Sequence, residues 1–387
     1  MELPEHPGGR RIRATPDRRR CAGRVLGTVL LGLMLLLGVA ACGLPTPGQT
    51  GQAASQSCPS STSGSLPLTS DKGLNYGTPP GPGGEYLGTT WLRSDMGSDN
   101  NWSRAQVGLK ATLPFIEQEH LGRVLRVFVG LDQIMVWNHG AFQRLDPAGV
   151  AHFRTALQLF QSYGFKVIVV LFHQEERASP GNFRYWALDG QHARLRAGYL
   201  KAAREFVSAF RDSSTIAAWD LFNEPYNSLS TDGGLRTPPA PDPVTAGYPE
   251  QVVHQWMEDL YHAAKCAAPE DWFTFSDTTA LVGHHPNPAL YSNSVDFYDI
   301  HMYQPDPYVH NWKSFLKKPF ILGEVGAPRP GGSLVDPTLN SRVVHFWLTH
   351  ARQAGAAAVL VEDDKGAVYT ANLTRLTPTG VALSASR

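Results

Sequence analysis

The sequence predicts a single (β/α)8 TIM barrel, preceded by a signal peptide and a flexible linker. From Tyr86 to the C-terminus, short apolar segments of strand composition alternate with longer segments whose apolar residues recur at helical spacing. Eight strand candidates in about 300 residues fit this barrel with enlarged loops. A doubly wound open sheet is the alternative, but no Gly-rich phosphate-binding loop follows the first strand candidate.

The N-terminal region has the features of an export signal. Residues 1–24 carry seven arginines, and Val25–Ala41 is an uncharged run rich in Leu and Gly. The run ends in Val-Ala-Ala-Cys42, which resembles a bacterial lipobox and predicts lipid attachment at Cys42. A signal anchor, or cleavage beside an incidental cysteine, is the alternative. We expect export to the cell surface as a lipoprotein held at the membrane only through its lipid, or otherwise secretion.

Composition divides the chain into residues 1–41 as a lipoprotein-type signal peptide, 42–84 as a Gly/Pro/Ser-rich linker and 85–387 as the barrel domain. The net charge is zero and no basic stripe occurs, which argues against nucleic acid as a partner, and we expect a monomer.

Cys58 and Cys266 could pair in an oxidising compartment. Their spacing does not support a pair, and the sequence favours Cys266 as a small buried apolar residue.

The predicted strands precede long loops that would lie on one face of the barrel. The strand candidates are Tyr86–Trp91, Val124–Val129, Lys166–Phe172, Ile216–Phe222, Trp272–Ser276, Phe297–Met302, Phe320–Gly323 and Ala357–Val361. Amphipathic helices are predicted at Pro147–Tyr163, His192–Phe210 and Glu250–Ala267. The loops Gly130–Leu145, His173–Gln191 and Asn223–Tyr248 follow the second, third and fourth strands and would build a cleft at the face where TIM-barrel sites lie.

Two predicted strands end in glutamate. Glu224 follows the fourth strand and Glu324 follows the seventh. A buried strand does not hold an unpaired carboxylate without a large free-energy cost, so both residues indicate a site at the carboxyl ends of the strands. The alternative is structural: a salt-bridged strand end at Glu324, and an acid at a helix N-terminus at Glu224.

Strand parity brings further polar residues to the same mouth, because side chains alternate between the two faces of a strand. The groups predicted to share a face are Arg126 with Phe128, Val167, Val169 and Leu171 with His173, Asp299 and His301 with Tyr303, and Phe320 and Leu322 with Glu324. Each of these four strands thus sends at least one polar or ionisable residue toward the mouth. Their agreement favours a functional site over chance.

These residues resemble the clan A retaining glycoside hydrolases, and in particular glycoside hydrolase family 5, the cellulase and β-mannanase family. The resemblance rests on Asn223-Glu224-Pro225 after the fourth strand, Glu324 after the seventh, Arg126, His173, and the pair His301-x-Tyr303. It implies that Glu224 is the general acid/base and that Glu324 is the nucleophile. It also implies that Asn223 hydrogen-bonds the sugar 2-hydroxyl, that Arg126 and Tyr303 support the nucleophile, and that His173 and His301 line the cleavage subsite.

The chemistry of these residue types agrees with those roles. Hydrolysis of a glycosidic bond uses two carboxyl groups, about 5–5.5 Å apart in a retaining enzyme. A neighbouring arginine lowers a carboxyl pKa by roughly 1–3 units, which suits a nucleophile. Tryptophans that could stack on sugar faces are Trp91, Trp137 and Trp186, with packing within the loops as the alternative.

One departure from the family concerns the eighth strand, which usually ends in tryptophan. Here it reads Ala-Ala-Val-Leu-Val-Glu362-Asp363-Asp, without an aromatic residue. Either another ring takes that place, or the subsite binds hydroxyls through Glu362 or Asp363. No cofactor is expected, and no metal site is predicted, because His284-His285 lies in a loop without helical spacing or a further ligand pair.

The sequence therefore predicts a retaining glycoside hydrolase that cleaves a β-linked glucan or mannan, as polysaccharide or oligosaccharide, by double displacement. A transglycosylase of the same fold and a non-catalytic carbohydrate-binding lipoprotein are the alternatives. The carbohydrate is the only predicted partner besides the membrane that the lipid at Cys42 would reach.

Overall fold

Eight parallel strands form a nearly closed barrel in a computed structural model of the chain. The structure describes residues 58, 62, 64–68, 70–75, 99–172, 193–225, 250–278, 293–327, 336–363, 367–370 and 372–386. The predicted signal peptide, residues 1–41, lies outside the described residues, and so does Cys42, which follows it. Within the part that is described, no helix is long and apolar enough to span a bilayer.

The barrel strands are short and largely buried, as parallel strands covered on both faces are. They are β1 Lys72–Asn75, β2 Val124–Phe128, β3 Lys166–Val170, β4 Ile216–Asp220, β5 in two segments Phe273–Thr274 and Ser276–Thr278, β6 Tyr298–Met302, β7 Phe320–Val325 and β8 Val359–Glu362. The helices are α1 Asp99–Gln118, α2 Pro147–Ser162, α3 Ala193–Phe210, α4 Glu250–Ala267, α5 Trp312–Phe315, α6 Pro337–Ala354 and α7 Pro378–Ala385. Short 3-10 helices occur at Leu131–Ile134 and Val309–Asn311.

The local sequence explains where helix α6 begins and ends. At the start of α6, Asp336 Oδ1 accepts hydrogen bonds from the backbone N–H groups of Thr338 (2.8 Å) and Leu339 (3.1 Å). Pro337 occupies the first helical position, where its missing N–H is not needed. Gly355 ends α6 in the left-handed conformation, with φ at 93°.

The strand order follows the chain around the barrel. Each strand pairs in parallel with its neighbours in sequence, and β1 also pairs with β8. The two segments of β5 complete the ring: the first pairs with β4 through Trp219 and Phe273, and the second pairs with β6 through Ser276 and Asp299. The predicted TIM barrel is confirmed.

The first strand lies where the sequence predicted a linker. Lys72–Asn75 pairs with both β2 and β8, so the linker predicted for residues 42–84 and the domain start at residue 85 are wrong in this part. The predicted first strand, Tyr86–Trp91, lies outside the described residues. A four-residue segment carries too little hydrophobic pattern to be recognised, and its two neighbouring strands supply the hydrogen bonds that fix it.

The segment before β1 closes the amino-terminal end of the barrel. Leu66 is buried, and Leu68 packs beside it, against an apolar cluster inside the barrel. The barrel members of this cluster lie near the beginnings of their strands: Val124, Ile168, Ala218, Trp272, Phe297, Ile321, Ala358 and Leu360. Leu66 and Leu68 therefore form a floor beneath the layer of polar residues described below.

A disulfide attaches this floor segment to the helical shell. Cys58 is bonded to Cys266 of α4, with their Cα atoms 5.3 Å apart. The interpretation of Cys266 as a small unpaired apolar residue is therefore wrong. The sequence could not reveal the pair, because the two cysteines are 208 residues apart and only the fold brings them together. Thr62 adds a 3.0 Å hydrogen bond to Asp296.

Loss of this disulfide is expected to destabilise the protein. The bond closes a loop of 208 residues, for which the chain-entropy model gives a contribution on the order of 5 kcal/mol. We expect the Cys58→Ser, Cys266→Ser double variant to unfold at a clearly lower guanidinium concentration than the oxidised protein. A reducing agent should lower the wild-type midpoint and leave that of the variant unchanged. Equal midpoints for variant and oxidised wild type would show that the bond contributes little.

The loop after β2 contains an antiparallel hairpin, Met135–Asn138 with Ala141–Leu145. Trp137 lies in its first strand, and its ring packs against Phe142 and Tyr199, at centroid distances of 5.9 and 5.3 Å. A Cβ on Gly198 of α3 would lie 2.6 Å from the same ring. These contacts show that the ring packs within the loop, and because Trp137 is only partly buried, its role as a sugar platform stays a prediction.

Candidate active site

A buried arginine lies at the centre of the polar layer above the floor. Arg126 of β2 is fully buried, and its guanidinium forms ion pairs with Asp220 (2.6 Å), Glu324 (2.7 Å) and Asp299 (3.3 Å). Burial alone would lower the pKa of Arg126, but the three carboxylates, Asp220 foremost, raise it above its usual value. Arg126 therefore stays charged and compensates carboxylates that could not remain ionised here without it.

A β-bulge in β7 turns Glu324 toward this layer. Leu322 and Glu324 pair with consecutive residues of β6, so Gly323 between them is an extra residue. A bulge changes the direction of the side chain that follows it. Glycine is required at this position, because a Cβ on Gly323 would lie 1.9 Å from a carboxylate oxygen of Asp299.

The predicted alternation of side chains along the seventh strand is wrong, because the bulge interrupts it. Phe320 and Leu322 belong to the apolar cluster between the barrel and its helices, whereas Ile321 belongs to the cluster inside the barrel. Simple alternation would therefore have directed Glu324 outward with Phe320 and Leu322. The glutamate reaches the interior only because Gly323 adds one residue.

On the third strand, the side chains predicted to face the mouth of the barrel point outward, toward the helices. Val167, Val169 and Leu171 lie in the cluster beneath the helices, while Ile168 lies inside the barrel. The shared face predicted for these residues therefore does not point to the mouth. His173, predicted to extend that face, lies outside the described residues.

Glu324 is held as a carboxylate. Its Oε1 accepts a hydrogen bond from Arg126 Nη1 at 2.7 Å, and its Oε2 accepts one from the hydroxyl of Tyr303. Burial alone would raise the pKa of Glu324, but the charges of His301 and Arg126 and these hydrogen bonds outweigh it and lower the pKa. Burial and the neighbouring Glu324 charge raise the pKa of Tyr303 well above its usual value, so the phenol remains a donor.

Glu224 adopts a backbone conformation that is rare for its residue type. Its φ is 51°, in the left-handed region, and such strain costs on the order of 1–3 kcal/mol. The backbone N–H of Glu224 donates to Ser276 Oγ at 3.1 Å, and Pro225 follows, which disfavours the ordinary helical conformation. The turn presents the Glu224 carboxyl group to His301, whose Nδ1 lies 2.8 Å from Oε1.

His301 joins the two glutamates. Its Nδ1 lies 2.8 Å from Glu224 and 3.4 Å from Glu324, and Nε2 lies 3.9 Å from Asp299. Burial alone would lower the pKa of His301, but the charge of Glu324 and the hydrogen bond to Glu224 raise it to about 9. Burial raises the pKa of Asp299 to about 6, against the opposing effects of Arg126 and His301. The imidazole of His301 can thus keep its proton at neutral pH, beside the carboxyl group of Glu224.

The raised pKa of His301 predicts a pH-dependent stability. The imidazole pKa is 6.5 in the unfolded chain and about 9 in the folded protein. Its contribution is therefore fully present below pH 6.5 and is lost as the pH rises through 9, amounting to up to about 3 kcal/mol. We expect the free energy of unfolding, measured with denaturant, to fall between pH 6.5 and 9 in the wild type and much less in His301→Gln. The exposed His262→Gln should keep the wild-type profile; the same fall in His301→Gln would contradict the assignment.

Asn223 has its amide orientation fixed. Its Oδ1 accepts hydrogen bonds from Arg126 Nη2 at 2.6 Å and from Ser276 Oγ at 3.2 Å. The backbone N–H of Asn223 donates to the carbonyl of Phe172 at 2.9 Å. With its oxygen engaged on the side of Arg126, the amide nitrogen is the group that Asn223 can offer as a donor on its other side.

The two glutamates converge at the mouth of the barrel. One oxygen of Glu224, one oxygen of Glu324 and a ring nitrogen of His301 all lie within 4.8 Å of one another. Such a group could also hold a metal ion. Its charges are already compensated by Arg126 and by the imidazole of His301, and its oxygens and nitrogen contact one another, so the arrangement suits acid–base and nucleophilic chemistry.

The structure brings together most of the predicted site residues: Arg126, Asn223, Glu224, His301, Tyr303 and Glu324. Trp91, Trp186 and Cys42 lie outside the described residues, so the roles expected for them stay predictions.

Three buried residues of the site were not among the predicted ones: Asn75, Asp220 and Ser276. The parity argument that placed Asp299 on the face of His301 would also have indicated Asp220. Asp220 lies two residues after the interior residue Ala218. Asn75 belongs to the strand that was predicted as linker, and no sequence signal marks Ser276.

The chain matches a known protein family and is similar in fold to several solved structures. The family Cellulase (glycosyl hydrolase family 5) matches residues 90–368. A search of curated protein sequences finds no match.

Among solved structures, the chain is similar in fold to endo-1,4-β-mannanase from Eisenia fetida, with a TM-score of 0.58 and 16% identity over 82% of this chain and 91% of that one. It is also similar to β-mannanase from the blue mussel Mytilus edulis, with a TM-score of 0.56 and 15% identity over 75% and 87%. A third similar structure is GH5_18 from Streptomyces cattleya in complex with GlcNAc, with a TM-score of 0.54 and 15% identity over 82% and 80%.

Proposed function

The chain belongs to glycosyl hydrolase family 5, and from that premise we propose that it is a retaining β-glycosidase acting on a β-linked glucan or mannan. The observation that supports the mechanism most is the approach of a Glu224 oxygen to within 4.8 Å of a Glu324 oxygen. Retaining enzymes hold their two carboxyl groups about 5–5.5 Å apart, whereas inverting enzymes leave roughly 6.5–9.5 Å for a water molecule.

In the first half of the proposed reaction, Glu324 Oε forms a bond to the anomeric carbon. The bond from that carbon to the glycosidic oxygen breaks, and the leaving oxygen takes a proton from Glu224. The hydrogen bonds from Arg126 and Tyr303 keep Glu324 ionised and directed for the attack. The contact with His301 Nδ1 orients the Glu224 carboxyl group for this transfer.

In the second half, a water oxygen attacks the anomeric carbon of the glycosyl-enzyme. The water proton passes to Glu224, and the bond between the anomeric carbon and Glu324 breaks, which restores the carboxylate. Two inversions leave the anomeric configuration unchanged. We expect the Asn223 amide nitrogen to donate to the sugar 2-hydroxyl, a contact that strengthens in the transition state.

The mannanases among the similar structures support a β-1,4-mannan as the first substrate to test. The long connections after β2, β3 and β4 support a cleft open to a polymer. A panel of manno-, gluco- and xylo-oligosaccharides, with products followed by NMR from the first seconds, tests the proposal. We expect the β-anomer to form first. An initial α-anomer would exclude the retaining mechanism, and absence of turnover on all β-glycans and aryl β-glycosides would exclude the hydrolase.

We also propose that the protein is exported and carries a lipid on Cys42. The disulfide between Cys58 and Cys266 supports an oxidising compartment. In a bacterial host, we expect the wild type in the membrane fraction and Cys42→Ser in the soluble fraction. Equal partition of the two proteins would contradict the lipid anchor.

A further inference from the structure

We propose that Asn75 and Glu362 form a positioning pair that orients Arg126, and through it Glu324. The inference rests on the proposed function of Glu324 as nucleophile. Neither residue would need to touch the substrate. The pair connects the first and last strands of the barrel at the point where the ring closes, because Asn75 of β1 is in register with Glu362 of β8.

Asn75 is an almost fully buried amide with both ends engaged. Its Nδ2 donates to Glu362 Oε2, and its Oδ1 accepts a hydrogen bond from Arg126 Nη1 at 2.9 Å. The reversed amide would direct two N–H groups at the guanidinium, which has no acceptor. The carboxylate of Glu362 therefore selects the orientation in which Asn75 presents its oxygen to Arg126.

Arg126 Nη1 transmits this orientation to the nucleophile. Nη1 carries two hydrogens, and its two acceptors are Asn75 Oδ1 at 2.9 Å and Glu324 Oε1 at 2.7 Å. The other nitrogens of the guanidinium face Asp220 and Asn223. Without Asn75, one Nη1 hydrogen loses its acceptor in a buried layer, and the guanidinium can turn within its plane toward the remaining oxygens. That rotation would move the donor away from its alignment with Glu324.

Glu362 also places a negative charge on the nucleophile side of the mouth. This charge contributes to the raised pKa of Tyr303, after burial and the charge of Glu324, so Glu362 lies close enough to act on that phenol. A nearby negative charge raises the pKa of a carboxyl group. Removing the charge of Glu362 should therefore let Glu324 remain ionised to a lower pH.

The test compares Asn75→Ala, Glu362→Ala and Glu362→Gln in the full chain, with the exposed Glu270→Gln as control. We expect kcat to fall roughly 10- to 100-fold in Asn75→Ala and Glu362→Ala while KM changes less than about threefold. The double variant should be no slower than Asn75→Ala alone, because both changes remove one relay. Glutamine keeps an acceptor for Asn75, so Glu362→Gln should recover at least about tenfold over Glu362→Ala and shift the acidic limb of the pH profile to lower pH.

Three outcomes would overturn the inference: wild-type kcat in both alanine variants, multiplicative losses in the double variant, or an acidic limb that Glu362→Gln leaves in place. A crystal structure of Asn75→Ala gives a readout that does not depend on activity. An Arg126 Nη1 still within 3 Å of Glu324 Oε1 would exclude the positioning role even if no glycan were cleaved. Retaining hydrolysis by the wild type with unaffected variants would leave the proposed function intact.

Discussion

Replacement of Glu324 by alanine is expected to lower kcat on β-glycans by roughly five orders of magnitude, because the reaction loses the atom that forms its covalent intermediate. The neighbouring groups cannot substitute for it. Arg126 and Tyr303 are hydrogen-bond donors to Glu324, and His301 faces the edge of the same carboxylate. The free energy of unfolding should change less than activity does, since Arg126 retains Asp220 and Asp299 as partners.

Azide distinguishes loss of the nucleophile from general damage. With an aryl β-glycoside, Glu324→Ala plus azide should yield the α-glycosyl azide, because the anion attacks from the space that the side chain leaves. The aryl oxide departs with the proton of Glu224. The matched variant Glu224→Ala should instead yield the β-glycosyl azide, since Glu324 still forms the intermediate and azide attacks second. The same anomer from both variants would contradict the assigned roles.

Replacement of Arg126 by methionine is expected to produce the largest loss of stability. Three carboxylates, Asp220, Asp299 and Glu324, would lose the cation with which they are buried. Removing one partner of a buried ion pair typically costs about 3–5 kcal/mol. At pH 7 we expect a loss of at least this size, together with a fall in kcat of more than about a thousandfold.

The loss in Arg126→Met should shrink as the pH falls. Without the guanidinium, the pKa of Asp299 rises further and the pKa of Glu324 rises from its lowered value, so protonation at about pH 5 relieves the repulsion among the carboxylates. Denaturant unfolding at pH 5 and 7 measures the difference. Arg123→Met is the control: Arg123 pairs with Glu117 at 2.8 Å, but both side chains are more than a third exposed, so its loss should cost much less than the loss of Arg126. Equal costs for the two variants, or no pH dependence in Arg126→Met, would contradict this account.

Much of the barrel follows from local sequence. Seven predicted strands overlap observed ones, because runs such as Lys166–Val170 and Ile216–Asp220 are apolar enough to be recognised without their neighbours. Lys72–Asn75 is different. Its four residues become a strand only when β2 and β8 provide hydrogen-bonding partners on both sides. The disulfide to Cys58 is likewise a product of the finished fold.

The candidate site shows the same division. Glu224, Glu324 and Arg126 could be found because a charged residue at or in a buried strand has few structural explanations. The direction of Glu324 could not, since it depends on one extra residue, Gly323, against the carboxylate of Asp299. Asn75 is a small neutral residue whose role arises only from the side chains on either side of it.

The floor segment determines where a shortened form of this protein should begin. The family similarity begins at residue 90. A fragment that starts there would lack Leu66, the strand Lys72–Asn75 and the amide that contacts Arg126. In this fragment, β2 and β8 would each have an edge with unpaired backbone N–H and C=O groups. The apolar cluster inside the barrel would also lose the cover of Leu66 and Leu68. Both changes favour aggregation. A shortened protein that keeps the barrel intact should retain Cys58 and all residues after it.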